Sequence, residues 1–208
     1  MLLVSATAGE IKPFTDHFSL VPGHNKVLDK ELFVLITGVG MVATAYSLGK
    51  TLSENRFDLA VNAGIAGSFN RNIALGEVVL VKEDCFAELG FEDDKAFITI
   101  DALGFGTGKT APIHPSGNFN FRKVNGITVN KVHGSDNSIE NTLKLWNPDI
   151  ETMEGAAFFY ACNQENLPSV QIRAISNYVE KRNRESWNIG LAVKNLNHPL
   201  INLITDLL

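Results

Sequence analysis

The sequence predicts an α/β domain, a twisted and largely parallel β-sheet with helices on both faces. Three observations carry that expectation. Short apolar runs recur along the chain, separated by segments with apolar residues at helical spacing. The runs are apolar throughout rather than alternating, as strands covered on both sides should be. Glycines cluster where strands give out, at Gly38 and Gly40 and again at Gly64 and Gly67.

Residues 2–7 (LLVSAT) form the first predicted strand, after which the chain turns at Ala8, Gly9 and Glu10 into a helix. LFVLIT (32–37) is the second strand. The next helix runs from Met41 to Asn55, with Met41, Ala45, Leu48 and Leu52 on one face. Leu59 to Val61 is a strand running into NAGIAGS (62–68), which reads as a glycine-rich loop, and Glu77 to Val81 is a further strand. Residues 86–130 are rich in Gly, Asn and Pro and hold only short strand-like pieces. ETMEGAAFFYACNQEN (151–166) opens on a short lead and continues as an amphipathic helix. Residues 169–176 are the last strand, with Asn177 at its exit. A C-terminal helix is expected over Trp187 to Leu208, capped by Ser186. No repeat or linker divides the chain, so residues 1–208 read as one domain.

Composition excludes several functions. The 208 residues are 45% hydrophobic and 20% charged, ordinary globular values with enough apolar surface for a core. Net charge is −5 and the Lys and Arg are scattered, so no nucleic-acid face and no membrane-binding stripe is expected. Cys85 and Cys162 lie far apart with no histidine cluster near either. They read as reduced, buried thiols, not as a disulfide or a metal site. MLLVSATAGE lacks the basic start of a secretory signal, and no apolar stretch nears the ~18 residues of a membrane span. A soluble, cytoplasmic protein is expected.

Several polar residues fall at predicted strand ends, where open α/β sheets bind ligands. TGVGMVA (37–43) has the G-x-G-x-x-A form of a dinucleotide-binding turn. It follows the second strand, however, and lacks the ribose-binding acid expected ~20 residues on. Its glycines read as permitting a tight turn. Glu10 is either a solvated first-turn carboxylate or part of a site. Glu154 stands beside Gly155, Ala156 and Ala157, so it should be partly buried and in need of partners. Asn177 is either a turn residue or a reader of ligand. His133, in KVHGSDNS, is either a contact or a turn residue. No GxSxG elbow and no Cys–His pair marks a nucleophile.

The succession Glu10, GVGMVATAYSLGKTL, DLAVNAGIAGSF, LGEVVLV, ETMEGAAFFYAC and VQIRAISN resembles the nucleoside phosphorylase/nucleosidase family over nearly the whole chain, least over 86–130. The resemblance implies a single domain with a mixed, twisted sheet flanked by helices, a homodimer, and a small-molecule nucleoside substrate without cofactor or metal. The implied reaction cleaves a purine–ribose N-glycosidic bond through an oxocarbenium-like state. It also implies roles. Glu154 would bind the ribose hydroxyls with Met153 packed on the sugar, and Glu10 would activate water. Asn177, with Ala66 and Gly67, would meet the base. Trp187 would stack on the 5′ substituent, with Arg182, Arg184 or Lys109 as its cation; Arg182 is the residue expected there.

Two finer expectations follow within that family. The stretch NAGIAG has no Arg, and Ile65 stands where a phosphate-binding hydroxyl would be wanted. Phosphate would be poorly held, so water is the expected nucleophile. An amide at 177 can donate to O6 of a 6-oxopurine and accept from a protonated N7, which an ionised carboxylate cannot do. Hypoxanthine is therefore the expected leaving base. The stretch ISNYVEKRNRESW is most similar to members whose 6-oxopurine nucleoside carries a carboxyphenyl ketone at the 5′ position. The rival readings are a methylthioadenosine/adenosylhomocysteine nucleosidase, a purine nucleoside phosphorylase, and a non-enzymatic binder built around TGVGMVA.

Overall fold

The computed structural model describes residues 1–94, 96–113 and 120–207. Its first strand, β1 (Leu2–Ser5), alternates its apolar side chains between two cores: Leu3 enters one, Leu2 and Val4 the other. After it come α1 (Lys12–Phe18), β2 (Gly23–Val27), β3 (Lys30–Ile36), α2 (Met41–Glu54), β4 (Ala60–Ser68) and β5 (Val78–Cys85). The hairpin β6 (Gly90–Asp93) and β7 (Ala96–Thr99), then β8 (Lys109–Thr110) and β9 (Arg122–Thr128), occupy the region with the weakest sequence signal. The chain continues through α3 (Asp136–Trp146), β10 (Ile150–Thr152), α4 (Gly155–Gln164), β11 (Ser169–Tyr178) and α5 (Ile189–Leu207).

The sheet is mixed, as the family resemblance implies, and not largely parallel as the apolar runs alone suggest. β1 is parallel to β3 and β4, β4 to β11, and β9 to both β5 and β10; β5 runs antiparallel to β11 and β8, and β2 to β3. The strand order is β10-β9-β5-β11-β4-β1-β3-β2, and β10 also pairs antiparallel with β4. The strands β4, β11, β5, β9 and β10 therefore close on themselves. Register shifts at Ile175/Asn177 and Val81/Glu83 supply the bending that closure needs. α1 and α5 cover one face through Phe14, Ala192, Leu196 and Leu200. α2 and α4 cover the other through Leu48, Leu52, Phe158 and Phe159.

Four boundaries differ from the sequence expectation, each for a local reason. β2 and β3 form a hairpin whose two-residue turn places Leu28 and Asp29 at φ 50° and 65°, so no glycine announces it. NAGIAGS is strand, not loop: β4 runs through Ser68. A Cβ on Gly64 would overlap Arg173 Nη1 and come within 2.9 Å of Glu10 Oε1, so this glycine marks a close approach. β11 continues past Ser176 to Tyr178, so Asn177 lies within a bulged strand and not at a turn. The last helix begins at Ile189 instead of Trp187, because Asn188, not Ser186, caps it: Asn188 Oδ1 accepts from Leu191 N at 3.3 Å. Asn188 N also donates to Ser176 O at 2.7 Å, tying this start to the end of β11. Leu208 lies outside the described residues, as does part of the 86–130 stretch.

Cys85 and Cys162 are free and buried, and burial pushes both thiols up to about 12. Among the described residues no helix is long and apolar enough to cross a membrane.

Candidate active site

The carboxyl ends of β1, β4 and β11 open onto a cavity of about 450 Å³. The turn after β1 contributes Glu10, β4 contributes Ile65, Ala66 and Gly67, and the step from β10 into α4 contributes Met153 and Glu154. Asn177 and Trp187 complete the wall. The structure thus brings every predicted site residue to one cavity except the candidate cations Arg182, Arg184 and Lys109.

Glu10 is held from four sides. Its Oε2 accepts from Thr7 N and Thr7 Oγ1, both at 2.9 Å, and from Ser5 Oγ at 3.4 Å; its Oε1 accepts from Ile65 N at 3.1 Å. Asn197 of α5 fixes the backbone beneath it. Asn197 Nδ2 donates to Glu10 O at 2.8 Å, and its Oδ1 accepts from Phe14 N at 3.0 Å. That second bond satisfies a first-turn donor of α1, whose N-cap Ile11 offers no side-chain acceptor.

Glu154 is buried at the start of α4. Its Oε1 accepts from Gly40 N at 3.0 Å and its Oε2 lies 3.9 Å from Arg173 Nη1. Gly38 and Gly40 have φ of 86° and 99°, values that favour glycine, and the turn they make aims the Gly40 amide at this carboxylate. Burial pushes the Glu154 carboxyl above its ordinary range; Arg173 and the Gly40 amide oppose that shift, and the charge of Glu10 adds to it.

Asn177 is buried. Its Oδ1 accepts from Ser176 Oγ at 2.8 Å and its Nδ2 donates to Tyr178 O at 3.0 Å. One amide hydrogen and one carbonyl lone pair remain for a ligand. Gly67 lies against it: a Cβ there would be 3.2 Å from Asn177 Nδ2 and 3.4 Å from Glu151 Cγ.

Two features escape the sequence reading. Arg173, in the middle of β11, is fully buried, and its Nη1 has no hydrogen-bond partner. An arginine inside the apolar run VQIRAIS is the signal that could have marked it. The second is Glu151, also buried, whose Oε2 lies 2.6 Å from His133 Nδ1; His133 Nε2 is 2.8 Å from Thr142 Oγ1. His133 stands on the cavity wall, braced by this pair.

The cations expected at the 5′ end are placed differently. Arg182 is exposed, with its guanidinium 5.3 Å from the centre of the Trp187 ring. Arg184 lies in the exposed turn before Trp187, and Lys109 sits on β8, 3.9 Å from Glu83 and off the cavity wall. Among the described residues lining the cavity there is no Lys and no Arg.

The sheet thus closes around a cavity lined by three carboxylates, Glu10, Glu151 and Glu154, and the Asn177 amide. The phosphorylase superfamily model matches residues 1–204, and the chain belongs to that family. It is similar to futalosine hydrolase of Thermus thermophilus, 28% identical over 181 residues that cover 83% of this chain and 80% of that one. Futalosine hydrolase of Streptomyces coelicolor is 30% identical over 172 residues, 77% of this chain and 73% of the relative. A Helicobacter pylori methylthioadenosine/adenosylhomocysteine nucleosidase mutant, solved with 5′-methylthioadenosine in its active site, superposes with a TM-score of 0.83 at 14% identity. That superposition covers 99% of this chain and 97% of the other, and shows a shared fold.

Proposed function

We propose that the chain hydrolyses the N-glycosidic bond of futalosine to hypoxanthine and dehypoxanthine futalosine, a step of menaquinone biosynthesis by the futalosine pathway. The observation that carries this reading is one cavity faced by Glu10, Glu154 and Asn177, with no Lys or Arg on its described wall. Relatives that carry the name futalosine hydrolase across most of their length support it.

The reaction breaks the C1′–N9 bond, and the electron pair leaves with the base. The departing base takes a proton at N7 from solvent, and Asn177 stabilises it by donating to O6 and accepting from N7–H; the proton that Glu10 takes from water returns to solvent, so the protons balance. Glu154 accepts hydrogen bonds from the ribose hydroxyls, with Met153 against the sugar. Arg173, behind the wall with Nη1 3.9 Å from Glu154, helps keep that carboxylate ionised as an acceptor. Glu10 takes a proton from water, whose oxygen forms the new bond to C1′. Ala66 and Gly67 of β4 form the wall beside the base. Trp187 offers its indole face to the aryl group at 5′, and Arg182, stacked on that indole, is the cation nearest the aryl carboxylate. The whole of residues 1–208 serves as one nucleosidase domain, working in the cytoplasm.

The test of the nucleophile is futalosine turnover with and without inorganic phosphate, the released base followed by chromatography. Hypoxanthine should appear at the same rate in both. A strict requirement for phosphate would move the chain to the phosphorylases.

We further propose a homodimer. Val39, Val42 and Tyr46, all exposed at 57%, 78% and 73%, form a stripe along the start of α2, and Val39 also lines the cavity. Beside it Met41, Phe86, Leu89 and Tyr160, together with Glu88, Thr107 and Asn130, line a second hollow. A patch of this kind calls for cover, and a second copy would also close the rim of the cavity. Light scattering should give twice the 22.7 kDa of the chain, and a monomeric mass would refute the proposal.

A further inference from the structure

Behind the cavity wall runs a line of fully buried polar side chains. Arg173 donates through Nε and Nη2 to Gln171 Oε1, at 3.3 and 2.8 Å. Gln171 Nε2 donates to Asp84 Oδ2 at 3.0 Å. Asp84 Oδ1 accepts from Thr128 Oγ1 at 2.9 Å, and Thr128 Oγ1 in turn accepts from Ala156 N at 2.7 Å. Asp84, Gln171 and Arg173 are each 0% exposed and come from β5 and β11. Gly155 makes room for them, since a Cβ there would overlap Asp84 Oδ2 and Gln171 Oε1.

The chemistry of this line has a direction. Burial raises the Asp84 carboxyl to about 6, and each of its oxygens faces a donor, Gln171 Nε2 on one side and Thr128 Oγ1 on the other. Gln171 must then turn its NH2 toward Asp84 and its carbonyl toward Arg173. A reversed amide would set N–H groups against a guanidinium and leave all of them buried without acceptors. With two of its donor groups held on Gln171 Oε1, the guanidinium has one orientation left. In it, Nη1 points toward Glu154, 3.9 Å away, and carries no other bond.

We propose that Asp84 and Gln171 are positioning residues: Asp84 anchors the Gln171 amide with its carbonyl toward Arg173, and this locks Arg173 so that its free N–H faces Glu154. The inference rests on the hydrolase reading given above. Neither Asp84 nor Gln171 lines the cavity, so they act on the chemical step and not on substrate capture.

The experiment is steady-state turnover of futalosine by the full chain near neutral pH. Asparagine at position 84 has a single oxygen for the two donors Gln171 Nε2 and Thr128 Oγ1, so the hold on Gln171 loosens and Asp84→Asn should lower kcat by about tenfold or more with KM within about twofold. The double variant Asp84→Asn/Gln171→Glu puts an acceptor directly on Arg173, with the new amide donating to its other oxygen. Its kcat should return to within about threefold of wild type. An unchanged kcat in Asp84→Asn, or a loss that the double variant does not recover, would overturn the inference. If Asp84→Asn does not fold, Gln171→Met takes its place: kcat must fall with KM unmoved, and an unchanged kcat overturns the inference equally. A wild type inactive on futalosine would instead overturn the hydrolase reading and this inference with it.

Discussion

Replacing Glu10 with glutamine should lower kcat on futalosine by about a thousandfold or more, with KM within severalfold of wild type. The attacking water must lose a proton as it bonds to C1′, and an amide cannot take it. The structure adds a second reason. Both Glu10 oxygens accept from fixed donors, Thr7 N and Oγ1 on one side and Ile65 N on the other. An amide has a single oxygen, so one of these sets would face its NH2 group and Glu10's position would also be lost. On the proposed reading the contacts of Asn177 with the base and of Glu154 with the sugar stay intact, which is why the effect belongs on kcat. Steady-state kinetics with base release as readout checks this; a loss smaller than about tenfold would remove Glu10 from the proton transfer.

Asn177→Asp should act on the choice of base. The amide offers one hydrogen and one lone pair to the ligand, the pair that O6 and N7–H of a 6-oxopurine require. A carboxylate keeps the acceptor and loses the donor, leaving O6 opposed by negative charge in a buried site. Sites built to pair a polar group reject ligands that leave it unpaired by factors up to about 10⁴–10⁵. The bond from Asn177 Nδ2 to Tyr178 O would be lost as well, turning the new carboxylate toward the cavity. We expect kcat/KM for futalosine to fall by about a hundredfold or more, and cleavage of 6-aminopurine nucleosides to appear.

The parts of this fold that were legible in the sequence are those whose cause is local. β1, β3, β5 and β11 stand out because each holds a run of apolar residues, as strands with covered faces do, and α2 because its inward face repeats at helical spacing. Glu10, Glu154 and Asn177 were legible as polar residues at strand ends, which is where a sheet of this kind exposes its ligand site. What was not legible depends on distant partners. NAGIAGS looks like a loop because the reason for Gly64 is Arg173, more than a hundred residues away in the chain. The β2–β3 hairpin is hidden because its turn uses Leu28 and Asp29 at positive φ instead of a glycine. The sequence reading assigns no element to residues 136–146, although Ile139, Leu143 and Trp146 have helical spacing; α3 buries little of its surface, and its polar face dominates the pattern. The role of Arg173 follows from where its guanidinium points, which no spacing rule contains. The closure of the sheet through β10 and β4 is likewise a long-range fact, so the apolar runs alone suggest a largely parallel sheet, and the mixed one is reached only through the family resemblance.

The most direct test of the account is the ratio of kcat/KM for futalosine to that for methylthioadenosine, measured side by side in wild type and Asn177→Asp. The account predicts that wild type releases hypoxanthine from futalosine and leaves methylthioadenosine essentially untouched, and that the substitution lowers the ratio by about a hundredfold or more. Adenine release from methylthioadenosine by wild type with no action on futalosine, or a ratio that the substitution does not move, would contradict it.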